Sequence, residues 1–274
     1  MLNVNVKSEA SIEKLRWIMA QLRDPETGCP WDRKQDFASI TAHTIEEAYE
    51  VVDAIEQNDF VELNKELGDL LFQVIFYSQL GQEQQLFDFD SVVESICEKL
   101  IRRHPHVFSD TDLKTDVEIK ANWENEKAKE RQVKSKQENL SILADIPNNL
   151  PALSQAAKIQ KRCSHVGFDW DNKDDVFAKI VEEVEEVKAE LDANTLNTSA
   201  LAEELGDLMF AVVNLCRHAK EDPETLLRQA NRKFTKRFHG VEAQVSESGK
   251  SFTEHDLSEL ENYWQQVKVQ EKKS

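Results

Sequence analysis

Residues 203 to 210 read EELGDLMF, and residues 65 to 72 read KELGDLLF. Each stretch sets a glutamate and an aspartate three apart, Glu204 with Asp207 and Glu66 with Asp69, inside a run otherwise rich in leucine and phenylalanine. In the earlier run Leu67, Leu70, Leu71, Val74 and Ile75 recur at helical spacing, so a helix is expected with these side chains toward a core. On a helix the two acids stand about 60° apart and point one way. A carboxylate pair on an apolar helix therefore has to be explained twice in one chain.

The repetition extends outward from these stretches. Glu46, Glu47 and Glu50 (EEAYE) precede the first pair, and Glu182, Glu183 and Glu186 (EEVEE) precede the second, at an offset near 138 residues. A similar offset carries CPWD at 29–32 onto FDWD at 168–171, Lys99 and Arg103 onto Lys233 and Arg237, and Trp123 onto Trp264. Two copies of one helical unit account for this pattern. A polar, charged stretch and then Pro147 and Pro151 separate them, placing a boundary near residue 146 and giving domains 1–145 and 146–274.

Gly and Pro, 7 and 6 of 274 residues, are scarce, and helix formers dominate. The fold class expected is all-α, a tandem repeat of two helical bundles. Helices are expected from Thr44 to about Glu56, from Phe60 to about Leu80 with a stop at Gly81, from Asp175 to about Leu191, and from about Ala200 to Lys220.

With 52 acidic and 34 basic side chains the formal charge is -18. Such a chain repels polyanions, which argues against duplex nucleic acid and anionic membrane as partners. The four cysteines are scattered without a C-x-x-C pair, as expected of packed, reduced thiols in a cytoplasmic protein. The first 22 residues lack a signal-peptide pattern, and no run of 18 apolar residues is present.

Two facing helices that bring these acids together assemble four or five carboxylates at one spot. Uncompensated, such a cluster takes up protons or separates. Hard divalent cations resolve the conflict, and an all-carboxylate set suits Mg2+ or Mn2+, which keep waters for a substrate's phosphates. A di-iron bundle calls for Glu-x-x-His, and none of the seven histidines has a glutamate three residues earlier.

Plainer readings compete at single positions. Thr44 with Glu47 fits a capping box, whereas Glu183 lies too far inside its helix for a cap. Lys233 and Arg237 share a helical face with Asn231 close by; they reach phosphate or sugar oxygens, or form an ordinary basic surface. Trp264 stacks on a base or packs in a core, and Lys179 touches phosphate or pairs with Glu183. GKS at 249–251 has Gln244 where a phosphate loop needs glycine. HPH at 104–106 reads as a turn before an apolar anchor at Val107 and Phe108.

EEAYE…ELGD and EEVEE…ELGD match the E-E-x-x-E, spacer, E-x-x-D signature of the MazG family, all-α nucleoside triphosphate pyrophosphohydrolases, and the chain resembles the two-domain bacterial members over essentially its whole length. The resemblance implies Mg2+-dependent hydrolysis of nucleoside triphosphates to monophosphate and pyrophosphate, with loose base preference, nucleotide-pool housecleaning, and a homodimer. It places metal carboxylates on Glu183, Glu186, Glu204 and Asp207, with Glu182 beside them to position water, and nucleotide contacts on Lys179, Lys233, Arg237 and Trp264. The first repeat keeps Glu46, Glu47, Glu50, Glu66 and Asp69, a second metal site, with Lys99, Arg103 and Trp123. There Thr41 is matched to Lys179 and Phe76 to Asn214, so the second repeat is expected to carry the turnover. The competing class is a non-catalytic helical module that senses nucleotides or an alarmone.

Overall fold

The computed structural model describes residues 11–109, 111, 113–135, 141–193 and 197–271. Among the described residues there is no strand, and no helix is long and apolar enough to cross a membrane. Contacts divide the chain into two compact units, Met1–Val133 and Lys134–Ser274. This division lies upstream of the boundary read from the prolines. Arg162 donates to the carbonyls of Ile142 and Ala144 at 2.9 and 3.1 Å, which ties that stretch to the second unit.

The first unit runs α1 (Ile12–Leu22), a 3₁₀ turn (Asp32–Lys34), α2 (Thr41–Gln57), α3 (Phe60–Glu83), α4 (Phe89–Arg103), α5 (Pro105–Phe108) and α6 (Asp116–Ser135). Asn58, in the left-handed region at φ 58°, ends α2, and Asp59 caps α3 by accepting from the amides of Val61 and Glu62. This tight connection folds α3 back along α2, the most extensive helix pairing of the unit.

α2 begins at Thr41, one turn earlier than expected, so Thr44 lies inside the helix and the capping-box reading fails. The Thr44 hydroxyl bonds the Ile40 carbonyl at 3.2 Å and the Tyr77 hydroxyl at 3.0 Å. α3 continues past Gly81, whose role is close packing: a Cβ there would lie 2.7 Å from the Phe87 ring and 2.8 Å from its carbonyl.

The core of this unit gathers Met19, Ile40, Ile75, Phe76 and Leu80. Of the five α3 residues expected to face it, only Ile75 is buried; Leu67, Leu71 and Val74 are exposed and Leu70 is half-buried. The α3 residues buried in the core lie in its later half, where α1 and α4 also pack against the helix. Val107 and Phe108, expected as an apolar anchor, are also exposed.

The second unit runs α7 (Ala152–Ser164), α8 (Lys173–Asp192), α9 (Thr198–His218), α10 (Pro223–Ser248), a 3₁₀ turn (Phe252–Glu254) and α11 (Leu257–Glu271). Asn172, Asn197 and Asp222 cap α8, α9 and α10, each side chain accepting from a first-turn amide, and Pro223 opens α10. α8 packs along α9 as α2 does along α3, and α7 covers α9. Gly249 ends α10 at φ 72°, so the GKS stretch is a helix end. All four cysteines are free; Cys97 is exposed, against the expectation that the thiols are packed.

Candidate active site

α8 carries Lys179, Glu182, Glu183 and Glu186, and α9 carries Glu204 and Asp207. Packing of the two helices brings one oxygen each of Glu183, Glu204 and Asp207 within 4.8 Å of one another. Glu183 is buried at 4 % exposure, and its Oε2 has no hydrogen-bond partner. The other oxygen, Oε1, lies 2.8 Å from Lys179 Nζ, which also donates to Glu182 at 2.8 Å. A buried carboxylate with one free oxygen is costly unless something binds it.

The electrostatics follow from this crowding. Desolvation first, and then the charge of Glu183, push the Glu186 carboxyl above its ordinary range. Desolvation, then Asp207 and Glu183, do the same to Glu204. Hydrogen bonds to Glu182 and Glu183 raise Lys179, fixing its charge.

The first unit repeats the geometry, with oxygens of Glu47, Glu66 and Asp69 within 4.8 Å of one another. Glu47 is raised by desolvation and then by Asp69, Glu50 and Glu46. Glu66 is pushed up to about 7, by desolvation first and then by Glu62 and Glu50.

One correspondence read from the sequence shifts. His43, not Thr41, holds the place of Lys179: its Nδ1 lies 3.4 Å from Glu46, as Lys179 lies beside Glu182. The link between α8 and α9 is longer than that between α2 and α3, so one fixed offset cannot align both helices. Thr41 bonds back to the Ala38 carbonyl instead.

A cavity of about 340 Å³ opens beside the second cluster, between α7, α8 and α9. Lys179, Glu183, Asp207 and Asp169 bring charge to its lining, and Phe168, Trp170, Val176 and Phe210 are among its apolar lining residues. Gln160, Asn214 and Arg217 also border it. Of these, sequence reasoning had noted Asn214 on the carboxylate face and marked Trp170 only through the FDWD repeat. Gln160 and Arg217 gave no signal, being polar residues on helices of ordinary amphipathic pattern. Arg217 donates twice to Asn214 Oδ1, at 3.0 and 2.7 Å, and contacts Asp169. Burial works against the charge of Asp169, but Arg217 and His218 outweigh it and hold its carboxyl below the ordinary range.

The remaining expected contacts do not border this cavity. Asn231 and Lys233 are exposed on α10. Arg237 donates to Glu271 at 2.8 Å and lies 6.0 Å from the Trp264 ring, which packs against Phe234 at 5.1 Å. The first unit has the same device: Arg103 donates to Glu130 at 2.6 Å, and Trp123 meets His104 at 5.2 Å, while Lys99 is half-buried on α4.

The MazG nucleotide pyrophosphohydrolase domain matches residues 35–108 and 172–245, and each match spans one carboxylate cluster. This chain belongs to the MazG family. It is 50 % identical over 260 residues to the Escherichia coli K12 nucleoside triphosphate pyrophosphohydrolase, covering 95 % of this chain and 98 % of that protein. It is 41 % identical to the Thermotoga maritima nucleoside triphosphate pyrophosphohydrolase/pyrophosphatase MazG, over 93 % of this chain and 95 % of the relative. An uncharacterised Bacillus subtilis protein, YabN, is 39 % identical over 94 % of this MazG chain, which spans 52 % of that relative.

Proposed function

We propose that this chain hydrolyses nucleoside triphosphates to nucleoside monophosphate and pyrophosphate, that the second unit performs most of the turnover, and that Mg2+, or Mn2+, is held by Glu183, Glu186, Glu204 and Asp207. The family and its full-length relatives supply the class of reaction. The observation carrying the site assignment is the free Oε2 of Glu183, buried beside Glu204 and Asp207. An all-oxygen donor set with like charges in contact fits a hard divalent cation.

When bound, Mg2+ neutralises phosphate oxygens and eases departure of pyrophosphate. Lys179, which lines the cavity, is paired with both Glu182 and Glu183 and fixes their side chains relative to each other. Glu182 orients the water that attacks the α-phosphorus in line, and the bond from that phosphorus to the α,β-bridging oxygen breaks. Asn231, Lys233, Arg237 and Trp264 contribute nucleotide contacts, reaching the cavity from α10 and α11 of a second copy.

A homodimer suits the surface as well. Phe177, Val181 and Val184 on α8 and Met209 on α9 are exposed, more apolar area than a lone bundle leaves uncovered without reason. The first unit is proposed to bind metal through Glu46, Glu47, Glu50, Glu66 and Asp69 but to bind nucleotide poorly, because buried Phe76 stands where Asn214 borders the cavity. Lys99, Arg103 and Trp123 would be its nucleotide contacts. Four unpaired cysteines suit a reducing cytoplasm.

The test is phosphate release, measured with added pyrophosphatase on several nucleoside triphosphates, with and without Mg2+. Mg2+-dependent release that needs the added pyrophosphatase supports the reading. Tight nucleotide binding without release would replace it with a sensor of nucleotides or alarmones.

A further inference from the structure

The cavity between α7, α8 and α9 holds a second unsatisfied atom besides Glu183 Oε2. Gln160, on α7, is 7 % exposed; its Nε2 donates to the Phe210 carbonyl at 2.8 Å, and its Oε1 has no partner. The bond to Phe210 fixes which end of the amide is which, so the acceptor is held rather than free to swap with the donor. A buried acceptor without a donor calls for a ligand or water that supplies one. Much of the cavity wall, Ile159, Cys163, Phe168, Val176 and Ala211, offers only carbon or sulfur.

The cavity lining is thus mixed: Lys179, Glu183, Asp207 and the Asp169–Arg217 pair bring charge, while Phe168 and Trp170 bring aromatic rings. Asn214, 4 % exposed, has its Oδ1 occupied by both bonds from Arg217, which leaves the Nδ2 donor as its remaining polar group. A flat heterocycle with N–H and acceptor atoms on its edge matches an apolar slot furnished with a fixed acceptor and a fixed donor. At the equivalent place in the first unit Phe76 stands in Asn214's position, 1 % exposed within the core around Met19 and Ile40, and offers no polar group.

We infer that the aromatic part of this cavity is a nucleobase pocket and that Gln160 reads the base, its Oε1 accepting a hydrogen bond from a base N–H. The inference deepens the reading of the chain as a nucleoside triphosphate hydrolase and rests on it for the triphosphate beside the carboxylates.

The experiment measures binding by calorimetry on the full chain in Mg2+ buffer, using α,β-methylene analogues of ATP, CTP, GTP and UTP, with inorganic tripolyphosphate as a base-less probe. For wild type, the tightest-binding analogue is also compared with its derivative in which methyl replaces the base's edge N–H. That derivative is expected to bind about tenfold more weakly, the effect of leaving one buried neutral acceptor unpaired. Gln160→Met is expected to weaken the tightest base about tenfold, to compress the spread among the four bases, and to leave tripolyphosphate within about twofold. The fold of the variant is checked by its melting transition. Equal binding of the methylated and parent analogues by wild type overturns the inference, whatever the variant does. So does a loss for tripolyphosphate as large as that for the nucleotides. Because binding is read without turnover, a chain that shows this pattern yet releases no pyrophosphate loses the hydrolase reading and keeps the base pocket.

Discussion

His43 stands to Glu46 in the first unit as Lys179 stands to Glu182 in the second, at 3.4 and 2.8 Å respectively. Lysine is charged throughout the neutral range, whereas an imidazole carries charge only when protonated. The second carboxylate cluster therefore has a permanent cation at its edge, and Lys179 also reaches Glu183 itself. Glu183→Ala or Asp207→Ala should reduce pyrophosphate release on the order of 10³-fold, since a metal's stabilisation of the transferring group is worth several kcal/mol and each 1.36 kcal/mol is tenfold. Glu47→Ala and Asp69→Ala should cost less than about tenfold on the same scale. Equal losses from both pairs, at matched folding, would refute the division of labour between the units.

Metal binding must also displace protons from the crowded acids. Glu186 and Glu204 hold theirs to higher pH than ordinary carboxyls, by desolvation and like charge. Mg2+ takes the ionised form, so apparent affinity should fall as pH drops into the raised range of these groups and level off above it. Calorimetric titration of Mg2+ in buffers of different ionisation enthalpy should report proton release that vanishes at high pH. Affinity indifferent to pH across that range would argue against these side chains as ligands. Chelation should abolish turnover and leave the helical fold intact, because side-chain caps at Asn172 and Asn197 and the packing of α8 on α9 hold these helices.

Much of this was legible from the residues. Periodicity and the scarcity of Gly and Pro gave the all-α class, and of the four acids expected together, Glu183, Glu186, Glu204 and Asp207, the structure gathers Glu183, Glu204 and Asp207 in one cluster. The rest was missed for physical reasons. The match of Thr41 to Lys179 carried the 138-residue spacing of Glu66 and Glu204 onto α2, where Glu46 and Glu182 stand 136 apart because the α8–α9 link is longer. Five apolar residues of α3 are assigned to the core by their spacing, yet Leu67, Leu71 and Val74 face outward. Periodicity marks a face as apolar without saying whether its own chain or another covers it. Gln160 carried no sequence signal, since its character lies in burial and an unpaired oxygen.

Glu130 gives a pH-dependent element away from the clusters. Hydrogen bonding from Arg103, opposed by desolvation and supported by Arg102, lowers its carboxyl from 4.5 to about 2. The folded state thus keeps this group ionised where the unfolded chain binds a proton, so the pair's contribution is full above the unfolded value of 4.5 and is lost as pH falls toward 2. Denaturant unfolding followed between those limits should lose stability less steeply in Glu130→Gln than in wild type. Identical slopes would mean that the α4–α6 ion pair adds nothing to stability. Glu271, lowered in the same direction by Arg237, should behave alike on α11.

Gly206 sits inside α9, and a Cβ added there meets nothing within 4 Å in this chain. Alanine is favoured over glycine in a helix interior by about 1 kcal/mol, so Gly206→Ala should stabilise an isolated protomer by up to that amount. One turn away Met209 is 62 % exposed, on the outward surface where a second copy is proposed to dock. If that copy approaches closely, the new methyl stands in the contact and association weakens even as each protomer's melting point rises. Sedimentation equilibrium of wild type and variant separates the two effects. Raised stability with unchanged self-association would show that the dimer, if formed, uses another face; a concentration-dependent shift toward monomer would place the partner over α9, and would account for a glycine that nothing in its own chain requires.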